Sequence, residues 1–462
     1  MKISSYIRDG IGLRAVDVEV SLTSGIPKIQ FIGSPDSLIK ESVLRIQSAL
    51  KHQGFRMPKA KQVLVQLKPH YLKKSSKGLD LAVAAGILWE TGQLEKPNED
   101  VTLYGELSLK GDVFVPDDFE DLIEKPKFKH FYTGPIKTPM DFDVLSVKDL
   151  KSISTPKRNM GESSKFIGER PPLMNILISK QQSELLKVVS IGEHHTMLAG
   201  PPGTGKSTMA VLASSLVIDP DPKELKELCV IARQFGQTIK WRPVVCPHHT
   251  ITPLSMIGGG GNPRPGEITR AHGGVLIMDE YLEFDPNVQE SLREPLSAGK
   301  ITISRLGHVV NFPASFQLLA TTNLCPCGYL LPERDFECRG VPRKCQQYLN
   351  KLSGPMVDRF SILYFANAWK GENTVDPKSL LKEINQAREF AKGSRGQIMP
   401  NQRMAIKELE MLMDPFVLKN LLPEFHSHRR YEAFIRVART FADLDQSKMI
   451  EEKHIAQSQR LT

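Results

Sequence analysis

The sequence predicts an α/β protein made of an amino-terminal α+β domain, an α/β core and a carboxy-terminal helical lid. Three observations carry this expectation. Short β-like runs alternate with helical patterns from Ile3 to about Leu150. A glycine-rich turn, Gly200-Pro201-Pro202-Gly203-Thr204-Gly205-Lys206-Ser207, falls between a strand candidate and a helix candidate. After about Asn373 the text becomes charged and helical in period.

In residues 1–150, the runs Ile29-Gln30-Phe31-Ile32 and Val63-Leu64-Val65-Gln66-Leu67 read as strands. Ser37 to Leu50 reads as a helix: Leu38, Val43, Ile46 and Leu50 recur at near-helical spacing, and Lys40, Glu41, Arg45 and Lys51 can occupy the outer face. A second helix is expected to start near Gly78. Residues 151–172 are rich in Lys, Ser, Gly and Pro with little apolar periodicity, which predicts a linker. Residues 173–372 carry the core, with strands at His195 to Ala199, Val275 to Met278 and Ser315 to Thr321. Residues 373–462 form the expected lid, whose last amphipathic stretch puts Tyr431, Phe434, Ile435, Ala438 and Ala442 on one stripe. No internal repeat of about 20–50 residues is visible.

Composition narrows the classes. The 462 residues are 40% hydrophobic and 24% charged, which excludes collagen-like, wholly disordered and disulfide-scaffold chains. Six cysteines and a start without a basic segment and apolar run give no sign of a disulfide framework or signal peptide, so the cytoplasm is expected. The best apolar stretch, Leu79 to Trp89, is far shorter than the roughly 20 residues that span a bilayer. A formal charge of +9 permits attraction to nucleic acid or to nucleotides, and equally describes a well-solvated surface.

The turn at Gly200 fits G-x-x-x-x-G-K-[ST]. Gly203 and Gly205 let backbone N–H groups turn inward around phosphates, and the following helix presents its positive end to the same anion. Lys206 should reach the β- and γ-phosphates. Ser207 offers a hydroxyl for Mg²⁺, and Thr208 follows in the binding segment. A chance glycine-rich turn is the competing reading, and both flanks argue against it. Val275-Leu276-Ile277-Met278-Asp279-Glu280 reads as a buried strand ending in two acids. Asp279 would hold Mg²⁺ and Glu280 would polarise the attacking water, unless this is an ordinary exposed strand end. Together the two motifs predict ATP hydrolysis.

These motifs, with Arg242-Pro243, Pro247-His248-His249-Thr250, Pro265-Gly266-Glu267-Ile268, Glu283-Phe284, Ile303-Ser304-Arg305, Phe312-Pro313-Ala314, and Asn323 with Cys325-Pro326-Cys327-Gly328, resemble the magnesium-chelatase-like AAA+ ATPases, and among them the ComM/YifB competence-linked family. The resemblance covers nearly the whole chain. Ser34-Pro35-Asp36-Ser37, Lys40-Glu41-Ser42 and Gly78-Leu79-Asp80-Leu81-Ala82 extend it to the amino-terminal part, where it implies a ribosomal-S5-like fold related to the Lon protease domain. No serine–lysine protease motif accompanies it, so proteolysis is not expected. Two departures stand out: Tyr281-Leu282 where the family usually has Leu-Pro, and Leu324 where Pro is common.

The resemblance implies further roles. Asn323 matches sensor 1, Arg359 looks like an arginine finger reaching a neighbouring subunit, and Arg429 resembles sensor 2. A finger meeting the transition state contributes about 10³–10⁵ in rate, whereas a surface ion pair, the competing reading for both arginines, is worth about 0–1 kcal/mol. A finger acting in trans implies a ring, a hexamer by analogy. Ile301 to Arg305 and His308 to Phe312 read as a hairpin; in this clade such a hairpin can project into the pore, placing Arg305 and His308 near DNA. A short hairpin packed on the body is the alternative. Gly258 to Arg270, with four successive glycines and with Arg264 and Arg270, is a second pore-loop candidate.

Cys325, Cys327, Cys338 and Cys345 lie close together in the chain and could close a tetrahedral zinc site, or serve as structural thiols. Related proteins repeat C-x-C in the second half; here Gly340 takes that place and Cys345 comes later. Cys246 beside His248 and His249 suggests a second ligand group or simply a positioned loop. The leading expectation is an ATP-driven ring motor, using ATP and Mg²⁺, that moves single-stranded or branched DNA, with no membrane partner. The alternative is a chelatase- or chaperone-type motor that remodels a protein. A nucleotide-dependent assembly module needs neither Glu280 nor Arg359.

Overall fold

The computed structural model describes all residues except 1, 33–36, 70–76, 120–125, 127, 129, 137–141, 160–167, 261–262, 306–307, 329–341, 367–373, 421–424 and 426. The chain divides into two compact units: Met1–Phe166 with Ser304–Val310, and Ile167–Ile303 with Asn311–Thr462.

The first unit is a mixed eight-stranded sheet among the described residues. Its order is Lys157–Asn159, Val144–Ser146, His130–Thr133, Val101–Leu103, Lys2–Asp9, Gly12–Ser24, Lys61–Lys68 and Ile29–Phe31. Period-two alternation builds it: Val63, Val65 and Leu67 of one strand and Val16, Val18 and Val20 of its antiparallel neighbour point into the same core. The helices Ser37–His52 and Asp80–Glu90 contribute Ile46, Ala49 and Leu50, and an almost wholly buried run from Asp80 to Trp89. Inside this core Asp80 is fully buried and accepts a 2.9 Å hydrogen bond from Arg45 Nε. Ser34, Pro35 and Asp36, which helped to carry the family resemblance, lie outside the described residues.

The segment expected to be a linker begins as folded structure. Leu150–Ser154 is a 3₁₀ turn started by a capping box between Asp149 and Ser152, and its Leu150 and Ile153 are buried. Lys157–Asn159 then pairs with Val144–Ser146 as the edge strand. Two apolar residues and a reciprocal cap suffice to anchor a segment that has no periodicity to read.

In the second unit a parallel five-stranded sheet runs in the order Val244–Val245, Val275–Met278, Gln317–Thr322, Thr196–Ala199, Ile362–Phe365. The three central strands are buried throughout, as continuous apolar runs in a covered parallel sheet require. Lys180–Gly192, opened by a Ser179–Gln182 capping box, and Lys206–Ser215 pack over them.

The carboxy-terminal part holds the helices Pro377–Arg395, Ile406–Met411, Pro415–Asn420, His428–Leu444 and Glu452–Ser458. It is not helical from its first residues: Thr374–Val375 is a strand paired with Ile178–Ser179. Phe434, Ile435, Ala438 and Ala442 pack with Leu409, Met413, Ile450 and Ile455. Beneath them Asp443 accepts from Arg439, Arg395 and Asn401, so this buried carboxylate is surrounded by donors. Imidazole His194, fully buried, lies 2.8 Å from Thr440 Oγ1 of the long helix His428–Leu444 and 3.0 Å from Gln402 Oε1. Gln317, at the start of the central strand, donates to the carbonyls of Val189 and His194.

Candidate functional site

Three neighbouring parallel strands end on the same edge of the sheet, and each delivers part of one constellation. Thr196–Ala199 leads into the glycine-rich turn. Gly203 and Gly205 take φ of +78° and +80°, left-handed values that a side chain would strain, and the helix Lys206–Ser215 begins immediately after. The turn is braced at its base by Gly200 N donating to Thr322 O at 3.2 Å, and internally by Thr204 Oγ1 donating to Pro201 O at 2.9 Å.

Lys206 is buried and places its ammonium at the centre. Its Nζ donates to Gly200 O at 2.9 Å, Pro201 O at 2.7 Å and Asn323 Oδ1 at 3.1 Å. All three acceptors are neutral. Burial pulls its pKa down, while the charges of Asp279 and Glu280 oppose that shift. Ser207 Oγ donates to Asp279 Oδ1 at 2.7 Å, so the hydroxyl and carboxylate expected to share Mg²⁺ already converge. Such oxygen donors suit a hard, small cation.

Strand register explains how the acids are aimed. Met278 pairs with Ala320, which sets Asp279 and Glu280 beside Thr321. Thr321 Oγ1 donates to Asp279 Oδ1 at 2.5 Å and accepts from Glu280 N at 3.1 Å. One buried hydroxyl thus orients the metal-type carboxylate and fixes the backbone of the next acid. Glu280 itself has φ 56° and ψ 50°, a left-handed conformation uncommon for a residue with a side chain, of the kind concentrated at functional sites. Sequence reasoning missed Thr321; the available signal was its place at the end of the strand next to the acidic one.

The two arginines are gathered elsewhere in the same unit. Arg359 and Arg429 both line a cavity of about 490 Å³, together with Arg403, Arg436 and His195, and neither Lys206 nor Asp279, Glu280 or Asn323 is among its walls. Arg359 donates to Pro355 O at 2.6 Å and to Ser297 Oγ at 3.3 Å. Its pKa is lowered, first by burial and then by the positive charge of Arg429. Arg429 is exposed.

Among the candidate DNA residues, Arg264 is exposed on a small hairpin in which Gly258–Gly259 pairs with Arg264–Pro265, while Arg270 is ion-paired to Glu267 at 2.6 Å. Lys300–Arg305 and His308–Pro313 pair as the expected hairpin. Leu306, Gly307 and the side chains of Arg305 and His308 lie outside the described residues.

The sulfur atoms of Cys325, Cys327 and Cys345 all lie within 4.8 Å of one another. Cys338 lies outside the described residues. Cys246, His248 and His249 do not form a ligand group: among the described residues the cysteine trio is the one cluster of this kind, and His248 instead lies 2.9 Å from Thr250 Oγ1. No helix among the described residues is long and apolar enough to cross a membrane.

Comparison with known proteins agrees along the chain. Residues 173–374 match the family model "Magnesium chelatase, subunit ChlI", residues 18–119 match "Subunit ChlI of Mg-chelatase", and residues 376–461 match "Magnesium chelatase, subunit ChlI C-terminal". The chain is 29% identical to the competence protein ComM of Haemophilus influenzae, over 98% of its own length and 96% of that protein. It is 28% identical to the protein YifB of Escherichia coli, over 98% and 95% respectively. A more distant likeness, 23% over 58% of the chain and 38% of the relative, is to a rice protein named "Probable DNA helicase MCM9".

Proposed function

We propose that this chain, which belongs to the magnesium-chelatase-like AAA+ ATPases grouped with ComM and YifB, is an ATP-hydrolysing ring motor. In this reading it works in the cytoplasm, translocates single-stranded or branched DNA, and promotes branch migration in homologous recombination or natural transformation. Residues 1–150, extended by the capped turn and edge strand through Asn159, are its S5-like, Lon-like domain; the linker is what remains before residue 173, with 173–372 the ATPase core and 373–462 the helical lid.

The observation that carries the ATPase reading is the convergence of Lys206, Ser207, Asp279, Glu280 and Asn323 at the ends of three adjacent parallel strands. Backbone N–H groups between Gly200 and Thr208 cradle the phosphates, and Lys206 exchanges its neutral acceptors for phosphate oxygens. Ser207 and Asp279 would hold Mg²⁺, which would supply positive charge against the negative charge of the phosphates. Glu280 orients the attacking water and accepts its proton, and the Asn323 amide holds that water or the γ-phosphate in line.

Arg359 serves the site of the neighbouring protomer as an arginine finger, and Arg429 acts as sensor 2. Both line a cavity that excludes this chain's own nucleotide residues; its other arginines, Arg403 and Arg436, are ion-paired to Glu193 and Glu432, while Arg359 has its pKa lowered by burial and then by the charge of Arg429, a repulsion that an incoming anion relieves. Each active site then needs two chains, which supports a closed ring, hexameric by analogy.

DNA as the substrate draws support from the likeness to the rice protein named "Probable DNA helicase MCM9", from the near full-length likeness to a competence protein, and from the formal charge of +9. Arg264 and Arg270, with Arg305 and His308 on the longer hairpin, are the residues assigned to it. A second reading, a chelatase- or chaperone-type motor that remodels a protein, is favoured by the three chelatase-subunit matches. ATP hydrolysis measured without DNA, with single strands and with a branched junction separates the two. Stimulation by DNA that Glu280→Gln abolishes supports the DNA motor; turnover indifferent to DNA transfers the assignment to protein remodelling.

A further inference from the structure

The cysteine trio adjoins the nucleotide constellation through two short covalent and steric links. Asn323, which accepts from Lys206, stands two residues before Cys325. Cys325 and Cys327 belong to the turn that follows the central strand, closed by Gly328 N donating to Cys325 O at 2.9 Å. Gly328 has φ +83°, and a Cβ there would fall 2.5 Å from Cδ of Pro202 in the phosphate-binding turn. The cysteine turn therefore lies directly against that loop. Cys345 comes from a different element, the helix Pro342–Leu349, whose Tyr348 hydroxyl donates to Glu283 Oε1 at 2.7 Å just beyond the acidic pair.

The three sulfurs lie close enough together to share one metal ion. Tetrahedral zinc with Zn–S bonds of about 2.3 Å separates its sulfurs by about 3.8 Å. Here Cys325 Sγ and Cys327 Sγ are 3.1 Å apart and all three sulfurs are within 4.8 Å, with Cys325 and Cys345 buried. Adjustments well under the length of a side chain bring them to one ion. None of the three is in a disulfide. Sulfur donors from both a turn and a helix select a thiophilic cation over Mg²⁺.

We propose that Cys325, Cys327 and Cys345 bind Zn²⁺, and that the ion clamps the turn carrying Asn323 to the helix Pro342–Leu349 and against Pro202. Each thiol gives up its proton to solvent as it ligates, with no change of oxidation state. The fourth position is filled by a ligand outside the trio. The cysteines are positioning residues: they fix where the Asn323 amide stands relative to Lys206. The effect on turnover rests on the ATPase reading, whereas metal binding and the stiffening of the turn do not.

The full chain, purified without chelator, is tested in three ways. Elemental analysis should find about one zinc per chain, retained in Cys229→Ser and reduced about ten-fold or more in both Cys345→Ser and Cys327→Ser. Replacement by Co²⁺ in the unaltered chain should give a sulfur-to-cobalt charge-transfer band and tetrahedral d–d absorption. Amide exchange across Thr321 to Gly328 should quicken about ten-fold on zinc removal and return on adding zinc. Zinc content unchanged in both variants, a cobalt spectrum without thiolate bands, or exchange in the turn indifferent to zinc would each overturn the proposal. The cobalt and exchange readouts use the unaltered chain, so a variant that fails to fold cannot decide the result.

Discussion

Thr321 Oγ1 stands between the two acids of the constellation, donating to Asp279 Oδ1 at 2.5 Å and accepting from Glu280 N at 3.1 Å. Thr321→Val keeps the shape and removes both bonds. Turnover should fall about ten- to a hundred-fold through kcat, with KM for ATP changed little, because the hydroxyl aims groups that act in the reaction step rather than in binding. Steady-state kinetics checks this; a change confined to KM contradicts it.

Glu280→Gln keeps the size of the side chain and removes its basicity. Hydrolysis should drop by about 10²–10⁴, while nucleotide affinity measured by calorimetry stays within a few-fold of the parent.

If Arg359 acts across an interface, two inactive chains can complement each other. Arg359→Ala and Lys206→Ala should each be inactive alone. Mixed and allowed to exchange subunits, they form some interfaces with an intact Lys206 facing an intact Arg359, so activity should reappear. Continued silence of the mixture, with exchange confirmed by fluorescence, would place the arginine in its own chain's site. Arg429→Ala mixed with Lys206→Ala tests the second arginine in the same way.

His194 and His195 are both buried, and burial pushes their pKa values down to about 4 and about 3. His195 Nδ1 accepts from Leu318 N at 3.1 Å, a bond available only to the neutral ring. Below the ordinary histidine value of 6.5, the unfolded chain takes up protons that the folded chain refuses. Their contribution to stability is therefore intact above that value and is lost as pH falls toward 4, by about 1.4 kcal/mol per pH unit for each ring. Denaturant midpoints measured across this range should fall with acid, and His194→Gln should flatten the slope.

In the first unit, Arg45→Met strips the partner from the fully buried Asp80. An uncompensated buried carboxylate costs about 3–5 kcal/mol, and Arg45→Met with Asp80→Leu together should recover much of it. Urea unfolding of the two variants measures the difference.

The phosphate-binding turn was legible because its chemistry is local: consecutive backbone N–H groups around an anion demand glycines at fixed spacing, and these can be read along the chain. The strands at Thr196, Val275 and Gln317 were legible for a similar reason, since parallel strands buried on both faces become unbroken apolar runs. Thr321 was not, because its role depends on register between strands far apart in sequence. The shared cavity of Arg359 and Arg429 was hidden for the same reason; neither arginine has local neighbours that announce the other. Residues 151–154, expected in the linker, instead continue the first unit from Leu150, because a single capped turn with two buried residues leaves no period to detect.

Gln317 and Asn323 mark the two ends of one structural rod. At its foot, Gln317 is bonded to the carbonyls of Val189 and His194, and the His194 ring is bonded to Thr440 of the helix His428–Leu444. At its head, Asn323 touches Lys206. Six strand residues span about 20 Å, and the hydrogen-bond ladders on both sides fix the register of this strand against its neighbours. A change at the head can therefore be felt at the foot only if the neighbouring strands move with it, so the sheet transmits as one body or not at all.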